Sequence, residues 1–252
     1  MSKKILIFSD SRGQFVPRGV NPDVLYTHRL AKNPEYNCHL ILCPMKWTTI
    51  ADFIGLSSSL KLDDYQAVIL HLGIVDWSPR PATSAVNDVY NNSASANARN
   101  VFSNTQNYNE KVINNKKGFF DDIFGESCMR EYLSNPFDVF YEGSPTVNMY
   151  SVDAAARFLL PILDKIPNLI FVNSNKILAD WDGDFTRGRP RNICMANKYA
   201  TVFQEYLGEY KCINLLQWSD ADIRLNTCDN MHLTERGNDF IYREINERLS
   251  SR

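Results

Sequence analysis

Short apolar runs bounded by turn residues recur along the chain, with helical stretches between them. The runs Lys4 to Phe8, His39 to Cys43, Ala67 to Leu72, Leu169 to Asn173 and Cys212 to Leu216 are continuous and rich in Ile, Val and Leu. Strands covered on both faces of a parallel sheet have that composition. Between them, Val152 to Ile166 sets Val152, Ala156, Leu159, Leu163 and Ile166 on one helical stripe, with a kink expected at Pro161. A second helix is expected over Met195 to Tyr210. A third runs over Thr234 to Leu249, where Ile241, Ile245 and Leu249 recur at every fourth position behind Thr234 as N-cap. Strands alternating with helices predict an α/β protein, a doubly wound, mainly parallel five-stranded sheet between helices.

The pattern breaks after the third strand. From Pro81 to Tyr150 runs an insertion in which ten asparagines fall between Asn87 and Asn115, with few large aliphatics. An aromatic stretch follows: Phe119, Phe120, Phe124, Tyr132, Phe137, Phe140 and Tyr141. Long insertions inside a compact domain are usually functional or mobile. Two readings stand: a surface excursion with its own small core, or a cap over an active site whose aromatics Phe119, Phe120 and Tyr141 line it.

At 252 residues the chain fits one α/β domain over 1–252. Hydrophobic residues at 44 % and charged residues at 22 % are ordinary for a globular protein, and a net charge of −2 gives no reason to expect nucleic acid. Lys116-Lys117 and the Arg187 to Arg191 segment are too short for a nucleic-acid tract and read as solvated surface or an anion pocket. The opening run Ile5 to Phe8 is too short for a signal-peptide core, and no later run approaches the roughly 18 residues that span a bilayer. The six cysteines (38, 43, 128, 194, 212 and 228) show no CxxC or Cys/His pairing. The expectation is a cytoplasmic protein with reduced thiols, no metal and no cofactor.

Candidate chemistry lies at the two ends of the chain. Ser9-Asp10-Ser11-Arg12-Gly13 follows the first strand directly, and open parallel sheets bind ligands outside the carboxyl ends of their strands. A serine there serves either as a helix N-cap or as a nucleophile facing a cleft. Near the other end, Asp229-Asn230-Met231-His232-Leu233-Thr234 precedes the last helix. A carboxylate three residues before an imidazole can accept its Nδ1–H and leave Nε2 for a third residue, the relation of acid and base in serine triads. The chain has four histidines; His39 and His71 fall in strands and His28 in a helix, so all three read as structural.

These blocks resemble the SGNH/GDSL hydrolase superfamily: Ser-Asp-Ser at 9–11 is similar to block I, Gly73-Ile74-Val75-Asp76 to block III, and Asp229-x-x-His232-Leu-Thr to block V. The resemblance implies a three-layer sandwich, with Ser11 as nucleophile, His232 as base and Asp229 as orienting acid. It also implies an oxyanion hole made by the Ser11 N–H, a block II turn and a block III asparagine. Here Val75 occupies the asparagine position and cannot donate, and the block II region is Pro44 to Thr49 around Lys46. The expected oxyanion and substrate-binding set is therefore Ser11, Lys46, Gly73 and Asp76, with Arg80 and Arg12 as candidate cations. The segment Gly73 to Pro81 is similar to a subgroup associated with surface-polysaccharide metabolism. The function implied is cleavage of an ester-linked acyl group, O-acetyl on a carbohydrate, through an acyl-enzyme. The rivals are an acyltransferase using the same chemistry and a non-catalytic module binding a saccharide or a protein. A flavodoxin-like nucleotide binder finds no glycine-rich motif to support it.

Overall fold

Alternate residues of the central strands enter opposite cores, and that alternation builds the layers. The computed structural model describes residues 2–14, 21–44, 47–85, 116–126 and 136–251. The strands are β1 (Lys3–Ser9), β2 (Tyr36–Leu42), β3 (Ala67–His71), β4 (Arg80–Pro81), β5 (Phe137–Tyr141), β6 (Ser144–Val147), β7 (Leu169–Val172) and β8 (Cys212–Ile213). The helices are α1 (Tyr26–Lys32), α2 (Ile50–Ser57), α3 (Ile74–Trp77), α4 (Ala82–Ser84), α5 (Lys116–Phe124), α6 (Val152–Ala154), α7 (Leu160–Asp164), α8 (Ala196–Lys211), α9 (Asp220–Asn226) and α10 (Glu235–Ser250).

The main sheet is five-stranded and parallel, in the order β2-β1-β3-β7-β8. On one face Leu6, Phe8, Val68, Leu70 and Phe171 pack beneath α2, α5 and α8; on the other, Ile5, Ile7, Ile69, Ile170 and Val172 pack beneath α1 and α10. This is the doubly wound three-layer architecture expected from the sequence. Strand order reverses between β1 and β3, which opens a crevice at their carboxyl ends.

Local departures have local causes. β2 starts at Tyr36, three residues earlier than expected, because it pairs with β1 along its whole length from Lys3↔Tyr36. β8 stops after two residues because the Asn214 side chain accepts the Leu216 N–H at 3.0 Å and starts a tight turn. The helical stretch expected over Val152 to Ile166 is broken into segments. A π-helical turn over Ala155–Leu159 joins α6 to α7, and Pro161 sits in the first turn of α7, where a missing N–H costs little.

Part of the insertion lies within the described residues, and residues 86–115 and 127–135 lie outside them. Helix α5 packs on α2. Strands β4, β6 and β5 form a small antiparallel sheet that the sequence pattern did not announce. Among the described residues, no helix is long and apolar enough to cross a membrane.

Candidate active site

The turn after β1 is built by a buried ion pair. Asp10 accepts the Arg12 N–H at 3.0 Å, and the Arg12 guanidinium folds back onto the same carboxylate, Nε at 3.0 Å from Oδ1 and Nη2 at 2.8 Å from Oδ2. Both side chains are sealed from solvent. Arg12 was expected to lend its charge to the cleft; it is spent instead on fixing the turn that presents Ser11. Among the described residues, the Ser11 backbone N–H has no acceptor.

The Ser11 Oγ lies 3.0 Å from His232 Nε2. His232 comes from the turn between α9 and α10, closed by Cys228 N–H to His232 O at 2.8 Å and by a bridge between Thr227 and Leu233. Within it the Asp229 carboxylate accepts three bonds: the His232 and Met231 N–H groups at 2.6 and 3.1 Å on Oδ1, and His232 Nδ1 at 2.7 Å on Oδ2. Burial favours the protonated Asp229, but the His232 ring bond, its charge and the two main-chain donors outweigh burial, so the net shift is downward. A carboxylate held ionised at Nδ1 sets the tautomer that leaves Nε2 able to accept from Ser11.

A strap of irregular chain from Ser174 to Asn192 holds this turn in place. Asn230 adopts a left-handed backbone (φ 71°), and its side chain accepts the Leu178 N–H at 3.0 Å and donates to the Leu178 and Trp181 carbonyls. Asn175 Nδ2 donates to Asn230 O at 3.0 Å, and Asp184 N–H donates to Cys228 O at 2.8 Å. Gly183 passes so close that a Cβ there would stand 2.2 Å from Cys228 O, and its φ of +54° also favours glycine.

Ser11, His232 and Asp229 open into a cleft of about 420 Å³. Its walls include Val75, Arg80 and Trp47 on one side, Tyr141 and Glu142 from the β5–β6 hairpin, and Phe185, Arg187 and Arg189 from the strap. Arg80 lines the cleft; its Nη2 donates to Val75 O and its guanidinium lies 4.9 Å from the Trp47 ring centre.

Gly73 and Asp76 do not line it. Gly73 (φ +113°) lets the chain turn into α3 with the Trp77 indole packed where a Cβ would be, within 2.4 Å. Asp76 is fully buried and accepts the Ile50 N–H at 3.2 Å, at the start of α2. Lys46 lies outside the described residues. The insertion's aromatics divide. Tyr141 lines the cleft and donates to Gly188 O at 3.0 Å, whereas Phe119, Phe120 and Phe124 are core.

The three histidines read as structural are buried. His39 Nδ1 meets the Tyr65 hydroxyl at 2.7 Å, and His71 Nδ1 meets the Tyr26 hydroxyl at 3.0 Å. Burial, then the charges of Arg12 and His232, pushes His71 well below its usual range. Asn230 lies inside the block V-like motif and Arg189 inside the Arg187 to Arg191 segment, but no spacing singled out either of them, or Phe185, as part of the site.

No family model matches the chain, and no curated protein does. Solved structures do. A crystal structure of a provisionally named GDSL-like lipase from Parabacteroides merdae ATCC 43184 aligns over 100 % of this chain and 97 % of its own, at 12 % identity and a TM-score of 0.52. A Lactobacillus plantarum protein aligns over 100 % and 98 %, at 14 % identity and a TM-score of 0.49. The chain therefore has a fold similar to that of a GDSL-like protein, an SGNH-like three-layer α/β sandwich.

Proposed function

We propose that the protein is an SGNH-type serine ester hydrolase acting on an ester-linked acyl group, O-acetyl on a carbohydrate. The observation that carries this reading is the unbroken chain of contacts from Ser11 Oγ to His232 Nε2 at 3.0 Å and from His232 Nδ1 to Asp229 Oδ2 at 2.7 Å, at the floor of an open cleft. His232 takes the Ser11 proton as Oγ attacks the ester carbonyl. The same imidazolium then protonates the departing alcohol. Water, activated by His232, releases the acid and regenerates Ser11. Asp229 orients the ring and balances its charge in both steps.

The Ser11 N–H is available to the tetrahedral oxygen. A second donor is expected from the block II turn around Lys46, with Arg80 adding positive charge from the cleft wall. A carbohydrate is favoured by the mixed lining: Trp47, Tyr141 and Phe185 offer flat faces to sugar C–H surfaces, and the arginines and Glu142 offer hydrogen bonds to hydroxyls. If a sugar hydroxyl replaces water in the second step, the same residues make an acyltransferase.

The decisive experiment is reaction with a fluorophosphonate probe followed by peptide mapping. Stoichiometric labelling at Ser11 is expected, and Ser11→Ala and His232→Ala should each abolish it with little change in stability. Asp229→Asn should slow it severely but leave a residue of reactivity. A second reading, a non-catalytic binding module, is favoured by one observation: Val75 puts an apolar side chain on the cleft wall where the related motif carries an asparagine donor. Folded protein that never labels would select the module.

A further inference from the structure

Arg189 lies in the cleft wall, yet its guanidinium is committed on several sides. Nη2 donates to the main-chain oxygen of Asp229 and stands 3.6 Å from Oδ2, the oxygen that His232 Nδ1 also holds. Nη1 lies 3.2 Å from Asp182 Oδ1, and the guanidinium carbon lies 4.4 Å from the centre of the Phe185 ring. The side chain is 6 % exposed, so little water screens it from the carboxylate. Arg189 thus joins the strap to the turn that bears the acid and the base, through segments 40 residues apart in sequence.

We propose that Arg189 is a positioning residue of the Ser11–His232–Asp229 site: it grips the main-chain and side-chain oxygens of Asp229 together and offsets part of the carboxylate charge that His232 feels. The inference rests on the hydrolase reading of that site and extends it to a residue the family motifs do not contain.

The physical consequence is a balance. A carboxylate with no counter-cation stabilises the imidazolium most, but it also keeps the ring charged, and useless as a base, to higher pH. A cation on the far side of the carboxylate weakens that hold and extends base catalysis to lower pH. Other charged groups surround the pair: Arg80, Glu142 and Arg187 line the same cleft. Asp182 and Asp184 come from the strap, Cys228 adjoins Asp229, and the Asp10–Arg12 pair lies behind Ser11. His71, from the end of β3, is kept uncharged by burial and adds no cation of its own.

The test measures the rate of Ser11 phosphonylation by a fluorophosphonate between pH 5 and pH 10, with thermal unfolding as a control for folding. Arg189→Gln should move the midpoint of the pH–rate curve upward, lowering the rate on the acid limb by about threefold while the alkaline plateau stays within about twofold. Arg189→Lys, which keeps the charge, should restore the midpoint; a loss due to packing alone would not be rescued that way. If Arg189→Gln folds and its curve superimposes on that of the unchanged protein, the inference is overturned and the hydrolase reading stands. If the unchanged protein never labels at any pH while folded, both fall. Should Arg189→Gln unfold, Asp182→Asn decides. Its site is half-exposed. Removing that competing carboxylate should move the midpoint downward, and an unmoved midpoint would overturn the inference.

Discussion

Val75 lines the cleft, while Asp76, one position on, has its carboxylate sealed in the core. Asp76 was a candidate for the oxyanion region and Val75 the residue standing where the motif carries its asparagine, and the direction of a single turn of α3 separates them. For Val75, an asparagine should supply a neutral donor near the reacting oxygen. Loss of such a donor costs on the order of 100- to 1,000-fold in serine hydrolases. Val75→Asn is therefore expected to raise kcat on an aryl acetate, and Arg80→Ala to lower kcat more than it raises KM. No gain from the first and no loss from the second would favour the binding module. For Asp76, burial pushes the carboxyl up to about 7, against the opposing effect of the neighbouring Tyr150 hydroxyl and with the Asp52 charge adding to it. The sign follows from proton counting. Between the ordinary carboxyl value and about 7, the folded protein holds a proton that the unfolded chain releases, so stability falls as pH rises through that window and levels off above it. Asp76→Asn keeps the acceptor for Ile50 N–H and removes the titration. Its melting temperature relative to that of the unchanged protein should climb from pH 4 to pH 7.5 and then stay flat. Parallel curves would mean that Asp76 does not titrate there.

At the scale of elements, the site consists of two turns held by different devices. The Ser11 turn is closed by a local ion pair two residues apart, and the His232 turn by a strap that comes from elsewhere in the chain. That difference decides what could be read from the sequence. Asp229 and His232 lie three residues apart, and Ser11 follows the end of a strand, so spacing made them candidates, while their roles as nucleophile, base and acid were what the resemblance to the SGNH/GDSL motifs implied. The strap contacts join residues about 40 to 55 positions apart, with a motif at the Asp229–Asn230 end and none at the strap end. Arg12 and Asp76 were misplaced for the opposite reason: residue type was visible, but not the side of the turn each faces. Asn230 shows how much the turn depends on one residue, since it combines a left-handed backbone with bonds to Leu178 and Trp181. Asn230→Gly keeps the backbone and loses the bonds, and Asn230→Ala loses both. Both variants should slow Ser11 labelling, with the alanine variant less stable than the glycine variant by about 1 kcal/mol, the cost of placing a Cβ in that region. Chemical denaturation measures that difference directly. Equal stabilities would assign the position to its side-chain bonds alone.

Over the whole molecule, the insertion is where the sequence was least legible, because an aromatic cluster does not announce which of its rings will find a packing partner. Phe119, Phe120 and Phe124 found α2 and the helices over Val152–Asp164, whereas Tyr141 at the hairpin tip found the cleft. Among the described residues, the ties between the insertion and the sandwich include the pairing of β6 with β4, the bonds of Tyr141 to Gly188 O and of Asn192 to Thr146, and Lys116 of α5, which enters the core. The Lys116 ammonium lies 2.6 Å from Asp52 Oδ2, with both side chains 1 % exposed. Asp52 also completes the cap of α2, accepting the Thr49 N–H at 2.7 Å, so one carboxylate links the insertion to a helix N-terminus. Removing one partner of a buried pair leaves the other charge uncompensated, at a cost of about 3–5 kcal/mol. If the insertion and the sandwich form one cooperative unit, Lys116→Met should lower the single unfolding transition of the protein as a whole, and Ser11 labelling should be lost at the same denaturant concentration as the far-ultraviolet signal. If the insertion is a separate unit, the same substitution should split the curve, with an early transition that spares Ser11 reactivity. Labelling measured across the denaturation curve separates the two outcomes, because Ser11 sits at the carboxyl end of the interior strand β1 while Tyr141, which lines the same cleft, belongs to the insertion.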